Sequence, residues 1–166
     1  VRVLRAAKES GLRGVAVYSD PDAGSLHVEN ADQAVHLPGT TLADTYLNGN
    51  AIIEAARSTG AQAIHPGFGF LSERADFANS VKAAGLIWIG PPANAIETMG
   101  DKISARRCMI ESGVPVIPGE EISMGGDSDH LGVLASAAAR VGYPLLLKAS
   151  AGGGGKGMRS VHEPKM

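Results

Sequence analysis

Cysteine is nearly absent. The single Cys108 excludes an intrachain disulfide framework and fits a reducing compartment, with the cytoplasm as the expected one. Aromatic residues make up only 4% of the 166 residues, too few for a platform on which nucleic-acid bases stack. No apolar run approaches the roughly 18 residues that a membrane span needs. The first residues, Val1 to Lys8, carry charges among their apolar positions and lack a signal-peptide cleavage pattern. Neither sign of charge dominates: the net charge is −2 with acids and bases interspersed. That leaves no basic stripe for nucleic acid and no polybasic patch for a membrane. His65 has no second histidine at metal-ligand spacing and no carboxylate at i+4, so no metal ligand and no catalytic residue is assigned. Its place before Pro66-Gly67 suggests that its ring shapes the following loop by a hydrogen bond.

Glycine, by contrast, is plentiful, with 22 residues, many of them in Gly152-Gly153-Gly154-Gly155-Lys156-Gly157. The chain opens on Val1 and stops at Met166, soon after that run, and both ends read as cuts.

Short apolar runs alternate with helical patterns. Residues 2–10 read as a helix ended by Gly11, and 14–19 as a strand stopped by Asp20-Pro21-Asp22. A weaker strand is expected over 33–37. Leu47, Ala51, Ile52, Ala55 and Ala56 recur at helical spacing, with Gly60 closing the helix. A strand over 61–65, a glycine-rich loop, a helix from about Glu73 to Ala84, and a buried strand over 86–90 follow; Glu73 either pairs with a cation or caps that helix, and Ser72 before it favours capping. This alternation predicts an α/β fold with a Rossmann-like parallel sheet and helices on both faces. Such a sheet normally begins with a strand, so a first strand is expected upstream. After Pro92 come helices near 93–98 and 101–112, where Cys108 reads as a small buried hydrophobe. A helix over 131–141 and a strand over 143–148 lead into the glycine run, and a strand over 158–161 leaves it. The domain boundary is expected near residue 99, giving domains of 1–99 and 100–166.

The run formally satisfies G-x-G-x-x-G through Gly152, Gly154 and Gly157, but a dinucleotide fingerprint opens a helix and the residues after it look extended. A Walker A loop is excluded, because Gly157 rather than Ser or Thr follows Lys156 and Ser150 stands where a glycine is required. A hairpin remains, whose backbone N–H groups can close over phosphate oxygens where no Cβ holds the chain away. Lys156 adds charge at that loop, and Lys148 stands at the end of the preceding strand.

Together the motifs resemble one family. Ala63-Ile-His-Pro-Gly-Phe-Gly-Phe-Leu-Ser-Glu73 is similar to the signature loop of the biotin carboxylase N-terminal domain. Trp88-Ile-Gly-Pro91 and Met99-Gly-Asp-Lys102 follow in the family's order, and Lys148-Ala-Ser-Ala-Gly-Gly-Gly-Gly-Lys-Gly-Met-Arg159 resembles its ATP-grasp glycine loop. The form of that loop looks most like the biotin-carrying subunits of acyl-CoA carboxylases, of the acetyl- and propionyl-CoA kind. The resemblance implies a pre-ATP-grasp domain followed by the beginning of an ATP-grasp domain, and ATP-dependent carboxylation of biotin with bicarbonate. It implies that Lys102 and Lys148 contact ATP, that Gly154, Gly155 and Lys156 cover its phosphates, and that Met158 lies beside the nucleotide. It also implies Mg²⁺ with ligands outside this chain, a biotin carboxyl carrier domain and a carboxyltransferase subunit as partners, and a homodimer. Phe68 stands where the family commonly has tyrosine. The family's residues for activating bicarbonate and carrying biotin are not in these 166, so the isolated chain is expected not to turn over. Two other readings stay open: another ATP-grasp ligase such as a carbamoyl phosphate synthetase half, and a non-catalytic nucleotide-binding module. The His65–Glu73 loop favours the carboxylase.

Overall fold

The structure is a computed structural model that describes residues 1–122, 130–148 and 157–164. The chain divides into two compact units, Val1–Glu97 and Thr98–Met166. Among the described residues no helix is long and apolar enough to cross a membrane.

In the first unit, helix α1 (Arg2–Glu9) ends just before Gly11, whose φ of 72° turns the chain toward strand β1 (Val15–Tyr18). A 3-10 turn over Asp20–Asp22 and a single turn of helix, α2 (Leu26–Glu29), return the chain to β2 (Gln33–His36), which runs parallel to β1. The pairing continues one residue further, where the Leu37 N–H donates to the Tyr18 carbonyl at 2.7 Å. Helix α3 (Gly49–Ser58) starts where the Asn48 side chain accepts from the Ala51 N–H at 3.1 Å. It leads to β3 (Ala63–Ile64), a 3-10 turn over Phe70–Glu73, helix α4 (Ala75–Ala83) and β4 (Ile87–Trp88), which runs parallel to β3.

The α/β class and the parallel pairing follow the sequence pattern, with one difference. Among the described residues the ladders form two separate two-stranded parallel pairs, β1–β2 and β3–β4, rather than one continuous sheet. The run over 86–90 also pairs over two residues only. Period-two alternation turns Trp88 inward at 8% exposure and Ile87 outward at 63%, so an apolar run expected to be wholly buried is covered on one face.

The core lies between α3, α4 and the β3–β4 pair, where Ile53, Ala56, Ile64, Phe77, Ala78, Val81 and Trp88 pack together with Leu71. Phe77, Ala78 and Val81 fall on one face of α4 by helical spacing. The Phe77 ring meets Trp88 edge-on, with centroids 5.7 Å apart at 86°, and the Trp88 indole N–H donates to the Pro91 carbonyl at 2.9 Å. Helix α4 begins two residues later than Glu73. Neither Ser72 nor Glu73 caps it, and its N-cap residue Arg74 makes no capping side-chain bond; within the first turn Asp76 accepts the Phe77 N–H at 2.9 Å and pairs with Arg74.

In the second unit, α5 (Ala93–Gly100) enters from the first, and α6 (Lys102–Glu111) follows with Cys108 half-buried in it rather than wholly inside. Arg106 of α6 donates to the Ile117 carbonyl at 2.6 Å, fixing the extended segment behind the helix. Helix α7 (His130–Val141) is tied to the same segment by the paired bonds from Arg140 to Glu120. Strands β5 (Leu145–Leu147) and β6 (Arg159–Val161) form an antiparallel hairpin.

Candidate functional site

Two groups of residues were expected from the sequence to form functional sites. The first is the mouth of the β5–β6 hairpin. Leu147 pairs with Arg159 as the last position of the ladder, and Lys148 and Met158 are the residues that adjoin this pair on the two arms. Lys148 is exposed, and Met158 is partly so at 39%. Gly157, at φ 77°, supplies the turn immediately before Met158. Gly154, Gly155 and Lys156 lie outside the described residues.

Lys102 sits on a different element of the same unit, as the first residue of α6. Asp101 precedes it and caps the helix by accepting the Ser104 N–H at 2.7 Å. The hydrogen bonds from Ser104 hold the Asp101 carboxyl below its ordinary value, so a carboxylate is kept next to Lys102. The structure thus sets Lys148 just after β5 and Met158 just before β6, and gives Lys102 an exposed position at the start of a capped helix.

The second group is the loop from His65 to Glu73, which begins at the C-terminal end of β3, where α/β folds place their ligands. As expected, the His65 ring shapes it: Nδ1 accepts the Gly67 N–H at 3.0 Å. Three of the next residues have positive φ, namely Gly67 at 76°, Gly69 at 71° and Phe70 at 49°. Only glycine reaches the Gly69 conformation, with ψ at −166°, without strain. Phe68 stands at the tip, 98% exposed.

Sequence reasoning missed what holds this loop. The Phe70 ring stacks on Tyr46, with centroids 6.1 Å apart and planes 12° from parallel. The Tyr46 phenol donates a short hydrogen bond to Asp22 and accepts the Ser19 N–H at 2.9 Å. Ser19 Oγ donates to the same Asp22 carboxylate at 3.0 Å. The bond from Tyr46, then that from Ser19, keeps the Asp22 carboxyl below its ordinary value, while burial and Asp22 push the phenol up. Asp22 and Tyr46 are 24 positions apart with no shared periodicity, so no local signal marks the pair.

Among the described residues, no group of three or more His, Cys, Asp or Glu side chains is placed to hold a metal ion. The described residues therefore do not by themselves make a magnesium site.

Comparison with known proteins decides the family. Residues 1–96 match the family described as "Biotin carboxylase, N-terminal domain". The chain belongs to the biotin carboxylase family. Residues 101–166 match a second description, "Carbamoyl-phosphate synthase L chain, ATP binding domain". The chain is 52% identical to the mitochondrial methylcrotonoyl-CoA carboxylase subunit alpha of Oryza sativa subsp. japonica, over 99% of its own length and 22% of that protein's. It is 49% identical to the biotin carboxylase of Haemophilus influenzae, over 97% of its own length and 35% of the relative's. Among solved structures it is similar to the biotin carboxylase domain dimer of the Hydrogenobacter thermophilus 2-oxoglutarate carboxylase, in complex with MgADP, ADP and bicarbonate. There the TM-score is 0.82 at 43% identity, covering 97% of this chain and 34% of that one. The chain thus spans between about a fifth and a third of the length of these biotin carboxylase relatives.

Proposed function

We propose that this chain is the nucleotide-holding portion of a biotin carboxylase, an ATP-dependent ligase that carboxylates biotin with bicarbonate. The observation that carries the reading is the β5–β6 hairpin, with Lys148 and Met158 at its mouth, in a chain of this family. Residues 1–99 are read as the N-terminal domain and 100–166 as part of the ATP-grasp domain. Lys148 and Lys102 contact ATP through their ammonium groups, Gly154, Gly155 and Lys156 cover its phosphates, and Met158 lies beside the nucleotide. Phosphoryl transfer spreads negative charge over several oxygens, and fixed cations and backbone donors stabilise it there.

Magnesium accompanies the nucleotide, as it does in the Hydrogenobacter complex. A biotinylated carrier domain and a carboxyltransferase are the partners, and a homodimer is the assembly. The lone Cys108 supports a reducing compartment, read as the cytoplasm, although the rice relative is named as mitochondrial.

Titration of the purified chain with a fluorescent ATP analogue tests the nucleotide half of this reading. Saturable binding is expected. Lys148→Ala and Lys102→Ala should each weaken it about tenfold, the scale of one lost hydrogen bond to a charged group. Binding that neither substitution changes would overturn the assignment of these lysines.

A further inference from the structure

We propose that Tyr46 is a positioning residue that sets the His65–Glu73 loop through Phe70. Phe70 is held at φ 49°, a left-handed conformation that a phenylalanine does not adopt unaided. Such strain persists only where the surroundings over-determine it, and strained residues cluster at ligand sites. Among the described ring contacts, the one that Phe70 makes is with Tyr46. Tyr46 stacks on Phe70, and its phenol is tied at two points to the turn that follows β1, the Ser19 N–H and the Asp22 carboxylate. Ser19 is buried at 8% exposure and braces Asp22 through its own hydroxyl. The chain thereby links the C-terminal end of β1 to the loop at the C-terminal end of β3. At the far side of that link Phe68 projects into solvent, with no packing of its own to fix it.

The strut lies wholly in the first unit, whereas the candidate nucleotide residues Lys102, Lys148 and Met158 all lie in the second. Its effect should therefore fall on the other organic reactant and spare ATP. That part rests on the carboxylase reading; the strut itself does not.

Two measurements test it. Hydrogen exchange on the 166-residue chain reads the loop through the Gly67 N–H bonded to His65, the Ser72 N–H bonded to the Gly69 carbonyl and the Arg74 N–H bonded to the Leu71 carbonyl. Tyr46→Leu should lower protection at these amides about fivefold, the scale of one aromatic stack, with the α4 amides unchanged. Tyr46→Phe keeps the ring and loses the anchor, and should fall between wild type and Tyr46→Leu. Equal loss in the loop and in α4, or no loss in the loop, overturns the proposal. Steady-state kinetics with free biotin, in the carboxylase that carries this chain, should then show the KM for biotin raised about fivefold in Tyr46→Leu, with the KM for ATP unchanged. Parallel shifts in both constants, or none, overturn the functional part of the proposal. Absence of biotin-dependent ATP cleavage in the wild type would sink the carboxylase reading, while the exchange result still decides the strut.

Discussion

Gly67 and Gly69 look alike in the sequence and do different work in the loop. Gly67 has φ 76°, in the left-handed region that other residues enter at a cost of about 1–2 kcal/mol. Gly69 combines φ 71° with ψ −166°, a region essentially reserved for glycine. A Cβ built at either position meets nothing within 4 Å, so the cost of adding one is conformational and not steric. Gly69→Ala should therefore destabilise the fold more than Gly67→Ala, by about 1–3 kcal/mol in all. Urea titration followed by the fluorescence of Trp88, the only tryptophan, measures both. Equal midpoints for the two variants would contradict the assignment of the two conformations. The glycines themselves were legible in His65-Pro-Gly-Phe-Gly-Phe70, and so was a loop-shaping hydrogen bond at His65, though not that its partner is the Gly67 N–H. Phe70's positive φ was not, since its cause is a ring contributed by Tyr46 from another segment.

At the scale of elements, the approach of α3 to α4 depends on a missing side chain. A Cβ on Gly49 would stand 2.7 Å from Phe77 Cδ2 and 3.1 Å from Cε2. Phe77 is 5% exposed and wedged against Trp88, so the ring has little room to yield. Gly49→Ala should cost about 1–3 kcal/mol by overpacking, despite the better helix propensity of alanine. A shifted Trp88 emission should accompany the loss. Combining it with Phe77→Leu should cost less than the sum of the single changes, because the two sites share one contact. Additive penalties would mean that the clash is relieved elsewhere. Periodicity foretold that α3, α4 and the strands exist, because it records which residues face inward. It could not foretell coverage from the second side, hence the exposed Ile87. Nor could it foretell that α4 starts at Ala75 without a side-chain cap, with Asp76 of its first turn paired to Arg74. In the hairpin, the strands flanking the glycine run were legible as apolar segments. That the ladder closes on Leu147 and Arg159, next to Lys148 and Met158, is visible only in the register.

Over the whole molecule, hydrogen bonds to ionised carboxylates set the response to acid. In the first unit Asp22, Asp44 and Asp76 are held below the ordinary aspartate value of 3.8 by Tyr46, Thr41 and Arg74 respectively. In the second, Asp101 is lowered by Ser104, and Glu120 is held below 4.5 by Arg140. A carboxyl lowered by folding binds its proton more readily in the unfolded chain. Its contribution to stability is therefore complete above the unfolded value and is lost as pH falls through the folded one. Stability should hold down to about pH 5 and decline below 4.5 and then 3.8, as Glu120 and the aspartates take up protons. Self-repulsion adds to the decline, because neutralising 17 acidic residues leaves 15 lysines and arginines unopposed. Asp101→Asn separates the two causes. Asparagine still caps α6 by accepting the Ser104 N–H, but it cannot titrate. The variant should fold normally at pH 7 and lose stability less steeply than wild type below pH 3.8, as measured by urea midpoints across the acid range. An acid profile identical to wild type would show that the cap carboxylate is not among the groups that drive acid unfolding.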